Sequence, residues 1–246
     1  MDFHSIPKQV LPPKEPAMSW EKAQAMTQEV NDLASKCVIR PVAPHSPGFY
    51  SPVFLVPKSD GSWHPVINLK ELNRHVVHHH FKMEGIRMLQ GLIQEGDWLV
   101  KLDLKDAYLT VPIASNHRKF LRFWWDRQPW EFSSLPFGLS SALYVFTKLL
   151  KPVVGTLRQL GIRIIVYLDD MLLMAQSKEM LKQHLATVLH TLIGLGFIIN
   201  TSKSVFTPTQ ELEFLGFLLN TLLMTISLPW KKVIGLKQTG LKLLKH

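Results

Sequence analysis

Asp169 and Asp170 are neighbours in a stretch that is otherwise largely apolar, IRIIVYLDDMLLMA at 162–175. Two adjacent carboxylates repel each other, and in apolar surroundings one is driven toward its protonated form. A hard divalent cation such as Mg²⁺ removes the conflict, because it takes oxygen ligands and is commonly held by one or two carboxylates plus substrate phosphates. An exposed acidic turn is the plainer reading of an isolated pair, so the metal reading needs another carboxylate. Asp103 supplies it. It lies in KLDLKDAY at 101–108, after the apolar Trp98, Leu99 and Val100 and before Leu104. An acid near a strand end sits on a rigid element, where a metal ligand is best held. Asp103 and Asp169 are 66 positions apart, so the fold must bring the two strand ends together.

The elements that would do this can be read from pattern. Residues 164–168 and 171–174 read as buried strands joined at Asp169-Asp170. Two-residue hairpin turns need positive φ and favour Gly or Asn, so an Asp-Asp turn is poor local chemistry. Residues 53–57 and 63–68 read as strands around the turn signal Asp60-Gly61, and 120–125 and 130–134 as a further hairpin. Leu135-Pro136-Phe137-Gly138 opens a helix over about 140–160, with Ser140 and Ser141 as caps and Pro152 as a kink. Gly138 permits a close approach of the backbone to a neighbour, and Phe137 packs beside it. Ser177 caps a helix over 178–195 with Met180, Leu181, Leu185, Val188, Leu189 and Leu192 on one face. A short strand follows at 197–199. Near the N-terminus, Ser19 caps a helix to about Lys36, with Trp20, Ala23, Val30 and Leu33 inward. Residues 1–18 form a proline-rich arm expected to pack weakly, and 41–50 a proline-rich loop. The order strand, hairpin, helix, hairpin, helix, strand predicts an α+β fold of βαββαβ type, an antiparallel sheet with helices on one face.

Composition narrows the class. Lys and Arg number 28 against 19 Asp and Glu, a formal charge of +9 that suits a polyanionic partner. Cys37 is the sole cysteine, which excludes an internal disulfide and fits a reducing, intracellular setting, cytoplasmic or nuclear. The N-terminus MDFHSIPK has no apolar signal core, and the apolar run at 185–199 is too short to span a membrane. His78, His79 and His80 alternate in direction if extended, so they cannot converge on one ion, and with His75 they read as surface or nucleic-acid-facing groups.

Six segments in order resemble the polymerase motifs of retroelement reverse transcriptases: SPVFLVPKSDGSWHPVINLKELN, KLDLKDAYLTVPI, LPFGLSSALYVFTKLL, VYLDDMLL, GFIINTSKS and LEFLGFLLN. The resemblance covers about 19–220, closest in wording to DIRS-like (tyrosine-recombinase) retrotransposons and next to gypsy-type LTR elements. It implies a right-hand polymerase: fingers over 19–98, a palm over 99–220 with a fingers hairpin at 118–134, and the start of a truncated thumb from 221, carrying Lys231, Lys232, Lys237, Lys242 and Lys245. It implies RNA-directed DNA synthesis by two-metal phosphoryl transfer. Asp103 and Asp169 would be the main ligands of Mg²⁺ or Mn²⁺, with Asp170 close by and the Leu104 carbonyl as a further ligand. Lys58 and His64 would meet the triphosphate of a deoxynucleotide, Tyr108 would gate the sugar, and Phe137 and Gly138 would line the nucleotide site. Lys203 would be the general acid, and Phe214, Leu215 and Gly216 the primer grip. The implied partners are a primed RNA or DNA template, deoxynucleoside triphosphates, and the thumb and RNase H parts of a polyprotein.

Three positions depart from the pattern. His64 stands where an arginine typically follows the tryptophan, Leu143 where a proline is common, and Cys37 where a helix usually closes on glycine. They favour an alternative reading, a decayed or domesticated domain that binds nucleic acid without polymerising. A two-metal nuclease is a third reading, opposed by the absence of any Asp or Glu beyond residue 220.

Overall fold

The computed structural model describes residues 1–246 except Val10, Lys14, Pro16, 58–62, Lys231 and 236–246, and His64 by its backbone alone. In chain order the elements are α1 (Trp20–Ser35), β1 (Ile39–Pro41), β2 (Val53–Pro57), β3 (Trp63–Ile67), α2 (Lys70–Asn73), α3 (Ile86–Leu92), β4 (Trp98–Lys105), a 3₁₀ turn (Ala107–Thr110), α4 (Ser115–Arg118), β5 (Arg122–Trp125) and β6 (Gln128–Phe132). There follow α5 (Ala142–Gln159), β7 (Arg163–Tyr167), β8 (Asp170–Ala175), α6 (Lys178–Gly194), β9 (Ile198–Ile199), β10 (Val205–Thr209), β11 (Glu211–Phe214), β12 (Phe217–Asn220) and β13 (Thr225–Ser227). The architecture is the expected α+β one, helices with antiparallel sheets. Two compact units divide the chain, Met1–Phe81 with Asp106–Phe146, and Lys82–Lys105 with Thr147–His246. Among the described residues no helix is long and apolar enough to cross a membrane.

In the first unit, α1 packs on β1, β2 and β3. Its inner residues are Met26 and Val30, whereas Trp20, expected inward, is 72% exposed. The expected Ser19 stands at the N-cap but makes no side-chain cap bond. β1, β6 and β5 form a sheet, and β2 pairs with β3. The Asp126-Arg127 turn between β5 and β6 has positive φ at both residues, the type I′ pattern that suits a two-residue hairpin. The N-terminal arm is docked, contrary to expectation. Phe3 bridges to Val76, the His4 N–H donates to the His75 carbonyl at 2.8 Å, and the Phe3 ring meets Phe120 edge-on at 4.9 Å. An ion cluster centred on buried Glu131 ties β1, β5 and β6: Glu131 accepts from Arg40 on one oxygen and from Arg122 Nε and Nη2 on the other.

Three helices end in one motif. The N–H groups of Cys37 and Val38 bond the carbonyls of Ala34 and Leu33, and the ends at Gly161 and Gly196 repeat the pattern. Each closing residue has positive φ: 57° at Cys37, 80° at Gly161 and 86° at Gly196. This is the Schellman closure, which favours glycine because a Cβ crowds the left-handed region. Cys37 carries the penalty that its sequence position suggests. Cys37→Gly should therefore stabilise the protein by about 1 kcal/mol, read as a higher urea midpoint with an unchanged slope.

The second unit is built on the sheet β10-β4-β8-β7, with β9 also pairing to β4. α6 covers it through Leu181, Leu185, Val188 and Leu192, and the Ser177 hydroxyl accepts from the Met180 N–H at 3.2 Å as expected. Met180 itself is exposed. Leu212, Phe214 and Leu219 of the small sheet β11-β12-β13 pack with Leu99, Ile165, Leu172 and Met174 in one core cluster. Burial from both sides explains why β4, β7 and β8 read as apolar runs and do not alternate. At the start of β4, fully buried Asp97 accepts from Arg163 Nη1 and Nη2 and from Gln176, and its carbonyl accepts from Thr221 Oγ1 at 2.6 Å. β10 has no counterpart in the sequence reading, and β13 completes a sheet where a thumb was expected to begin. Pro152 lies inside α5. Ser140 and Ser141 do not cap that helix, since among the described residues neither hydroxyl has a hydrogen-bond partner. The turn at Asp60-Gly61 and the tail lysines Lys231, Lys237, Lys242 and Lys245 lie outside the described residues.

Candidate active site

β4 and β8 are antiparallel, and Asp103 and Asp170 are register partners. Such partners project from the same face with Cβ atoms about 4.5–5.5 Å apart. The neighbouring Leu104 N–H donates to the Asp169 carbonyl at 2.9 Å, which ties the turn to the strand that carries Asp103. The hairpin turn is one residue earlier than expected. Tyr167 pairs with Asp170, so Leu168 and Asp169 form the turn and Asp170 opens β8. Leu168 has φ of 57°, so a bulky residue occupies the place where a type II′ turn wants glycine.

The electrostatics tie the three acids together. Burial pushes the Asp169 carboxyl up, its own backbone hydrogen bond opposes this, Asp103 pushes it further up and Lys203 draws it down. Burial also pushes Asp170 up; Lys101 draws it down, Asp169 and Asp103 push it up, and Lys203 draws it down. Lys203 is thus close enough to act on both carboxylates. Two supporting residues carried no sequence signal. The Lys101 charge draws the Asp170 carboxyl down, and the Ser204 hydroxyl accepts from the Asp103 N–H at 3.0 Å across 101 positions. The Asp103 carbonyl accepts from the Asn200 N–H, which fixes the loop that leads to Lys203.

The donor set fits a hard divalent cation. Asp103 pushes both neighbouring carboxyls up against the pull of Lys101 and Lys203, a repulsion that a cation would relieve. Among the described residues no three His, Cys, Asp or Glu side chains are grouped to hold an ion alone. An ion here would complete its shell with water and phosphate oxygens, as Mg²⁺ does. Nor do the described histidines group for an ion: His79 pairs with Asp2 and stacks on Tyr144, and His75 bonds Ser5.

Primer-grip positions Phe214, Leu215 and Gly216 lie at the β11–β12 turn of the same unit. Phe214 is buried, and Leu215 and Gly216 have φ of 49° and 76°. Lys232 Nζ donates to the Gly216 carbonyl at 3.1 Å.

Tyr108, Phe137 and Gly138 meet in the other unit. Tyr108 is buried in the 3₁₀ turn, with ring centroids 5.1 Å from Phe137 and 4.9 Å from Phe146, and Phe137 is 42% exposed. Gly138 has φ of 89°, a conformation that glycine allows. The Asn73 amide, unremarked in the sequence, bonds the Gly138 carbonyl at 2.8 Å and the Ser140 N–H at 2.9 Å, pinning this loop. Lys58 and the His64 side chain lie outside the described residues; the His64 backbone pairs with Val56.

Comparison with known proteins gives a consistent picture. Residues 56–219 match the family described as "Reverse transcriptase (RNA-dependent DNA polymerase)". The chain is 29% identical over 197 residues to the Transposon Tf2-3 and Tf2-7 polyproteins of Schizosaccharomyces pombe (strain 972 / ATCC 24843). Those matches take in 80% of this chain and 14% of each polyprotein, so the chain spans a small part of these relatives. Among solved structures, the foamy viral protease-reverse transcriptase in complex with dsDNA aligns with a TM-score of 0.79 at 20% identity, covering 94% of this chain and 47% of that one. The same protein in complex with RNA/DNA hybrid gives 0.74 at 21%, covering 89% and 28%. At these identities the likeness establishes the fold.

Proposed function

This chain belongs to the reverse transcriptase family, and from that premise we propose that it adds deoxynucleotides to a primer 3′ end on an RNA or DNA template. The observation that carries the reading is the strand register that sets Asp103 opposite Asp170, with Asp169 in the adjoining turn. Mg²⁺ or Mn²⁺, when bound, would activate the primer hydroxyl and offset the charge on the leaving pyrophosphate. Asp103 and Asp169 hold the metal-binding charge, with Asp170 and the Leu104 carbonyl beside them. Lys203 gives a proton to the pyrophosphate. Tyr108 closes the space that a ribose 2′-hydroxyl would need, and Phe137 and Gly138 line the base. Lys58 and His64 contact the triphosphate, and Phe214, Leu215 and Gly216 hold the primer end. The wording of the six motif segments together favours a place beside DIRS-like retrotransposons, with gypsy-type elements next.

The test is primer extension by the full chain on a primed RNA template with Mg²⁺ and then Mn²⁺. Extension supports the proposal. Template binding without extension overturns it in favour of a non-polymerising nucleic-acid binder, and template cutting in favour of a nuclease.

A further inference from the structure

The outer edge of β7 is occupied by two side chains. β7 is the last strand of its sheet, with β8 as its sheet neighbour, so alternate backbone groups on its far side need other partners. Glu84 Oε2 accepts from the Val166 N–H at 2.8 Å. Arg158 donates to the Ile164 carbonyl, from Nη2 at 2.8 Å and from Nε at 3.3 Å. The two side chains are also joined, with Arg158 Nη2 2.7 Å from each Glu84 oxygen. A carboxylate thus stands in for a strand carbonyl, and a guanidinium for a strand N–H.

Plain edge protection is one use of such a pair, since it blocks pairing with another chain. The position along the strand points to more. Val166 lies two residues before Leu168 and three before Asp169. Leu168 is held in the left-handed region at a cost of about 1–2 kcal/mol, and such a conformation persists only when its surroundings over-determine it. On the β8 side the turn is anchored by a central strand, paired to β4 and β7. On the β7 side the sheet gives one neighbour, and on the open edge the Glu84–Arg158 pair bonds the backbone at Ile164 and Val166, the stretch that leads into the turn.

We propose that Glu84 and Arg158 are positioning residues for Asp169, fixing the last turns of β7 so that the strained turn holds its carboxylate beside Asp103. This rests on the reading of Asp169 as a metal-holding carboxylate. Without the pair, the 166–168 backbone relaxes toward ordinary φ and the Asp169 side chain samples several places. β4 and β8 keep their own ladder.

The experiment uses the full chain with Glu84→Ala and Glu84→Gln, read by hydrogen exchange, Mn²⁺ titration and extension kinetics. Glu84→Ala should speed exchange over 164–169 while β4 and α6 keep their protection. It should weaken Mn²⁺ binding by roughly 10–100-fold and lower kcat in proportion, with KM for template unchanged. Glu84→Gln keeps an acceptor for the Val166 N–H and should fall between. Faster exchange at 164–169 with unaltered Mn²⁺ affinity overturns the proposal and leaves edge protection. Faster exchange throughout β4 and α6 also overturns it, as general loosening. A parent that binds no Mn²⁺ removes the metal reading and this proposal with it. A parent that binds Mn²⁺ yet extends no primer overturns the polymerase reading alone, and the exchange and titration still test the pair.

Discussion

Asp169→Asn should abolish primer extension and, in the same protein, raise the melting temperature. The first effect follows if the Asp169 carboxylate holds metal, because metal-assisted charge stabilisation is worth several kcal/mol and about 1.4 kcal/mol is tenfold in rate; the loss should be about a thousandfold or more. The second follows from the upward shift of the Asp169 carboxyl, caused first by burial and supported by Asp103. The folded state then binds the proton more tightly than the unfolded chain. Its relative stabilisation is complete below the ordinary carboxylate range and is lost as pH rises through the raised folded value. At neutral pH the parent therefore bears the full cost of a charged Asp169, and the amide bears none. Melting curves in chelator should show the variant above the parent at pH 7, with the gap closing as pH falls below the normal carboxylate range. Added Mg²⁺ should stabilise the parent and do less for the variant. Equal melting at both pH values would mean that Asp169 is well solvated.

Glu131→Ala should be the most damaging single change away from the acids. Glu131 is 2% exposed and shared between Arg40 and Arg122. Removing it strands the Arg122 guanidinium, whose side chain is 11% exposed and also donates to the Pro47 carbonyl at 2.8 Å. Breaking a buried pair from one side costs about 3–5 kcal/mol, because the remaining charge cannot return to water. Arg40 has a side chain 53% exposed and can reach solvent, so Arg40→Ala should cost about 1 kcal/mol or less. Chemical denaturation of both variants checks the pair. Similar losses for the two would show that Arg122 finds water when Glu131 is gone.

The meeting of Asp103 with Asp170 was legible because a carboxylate in or beside an apolar strand is locally anomalous. The hairpin at 163–175 was legible too, but its turn was misplaced by one residue. Local turn chemistry disfavours Leu168 in the left-handed region, and the cross-strand partnership of Asp103 with Asp170 overrides it. Cys37 was read correctly, since its closure is decided within one turn of helix. Trp20 was not, because helical periodicity marks an apolar stripe without saying which of its members the neighbours reach. Ser204, Asn73, Glu84 and Glu131 escaped notice for a shared reason. Each acts through hydrogen bonds to residues distant in the chain, 101 positions for Ser204 and 91 between Arg40 and Glu131, and no local pattern marks a lone polar residue as one that will be buried against them.

The pairing of β4 with β8 also constrains how this gene can change. Six consecutive register pairs join Trp98 with Ala175 through Asp103 with Asp170, and a slip of one residue sends every side chain of a strand to the opposite face. Substitutions can accumulate along β8 while the frame of the pairing stays intact. Loss or gain of a single codon between Asp170 and Leu172 would put the two ends of β8 out of step, so that either Asp170 leaves Asp103 or Leu172 and Met174 leave their core cluster. Length variation among functional descendants should therefore be absent from this hairpin and concentrated in the exposed 222–224 turn between β12 and β13, where an added residue shifts no pairing in the acid-bearing sheet.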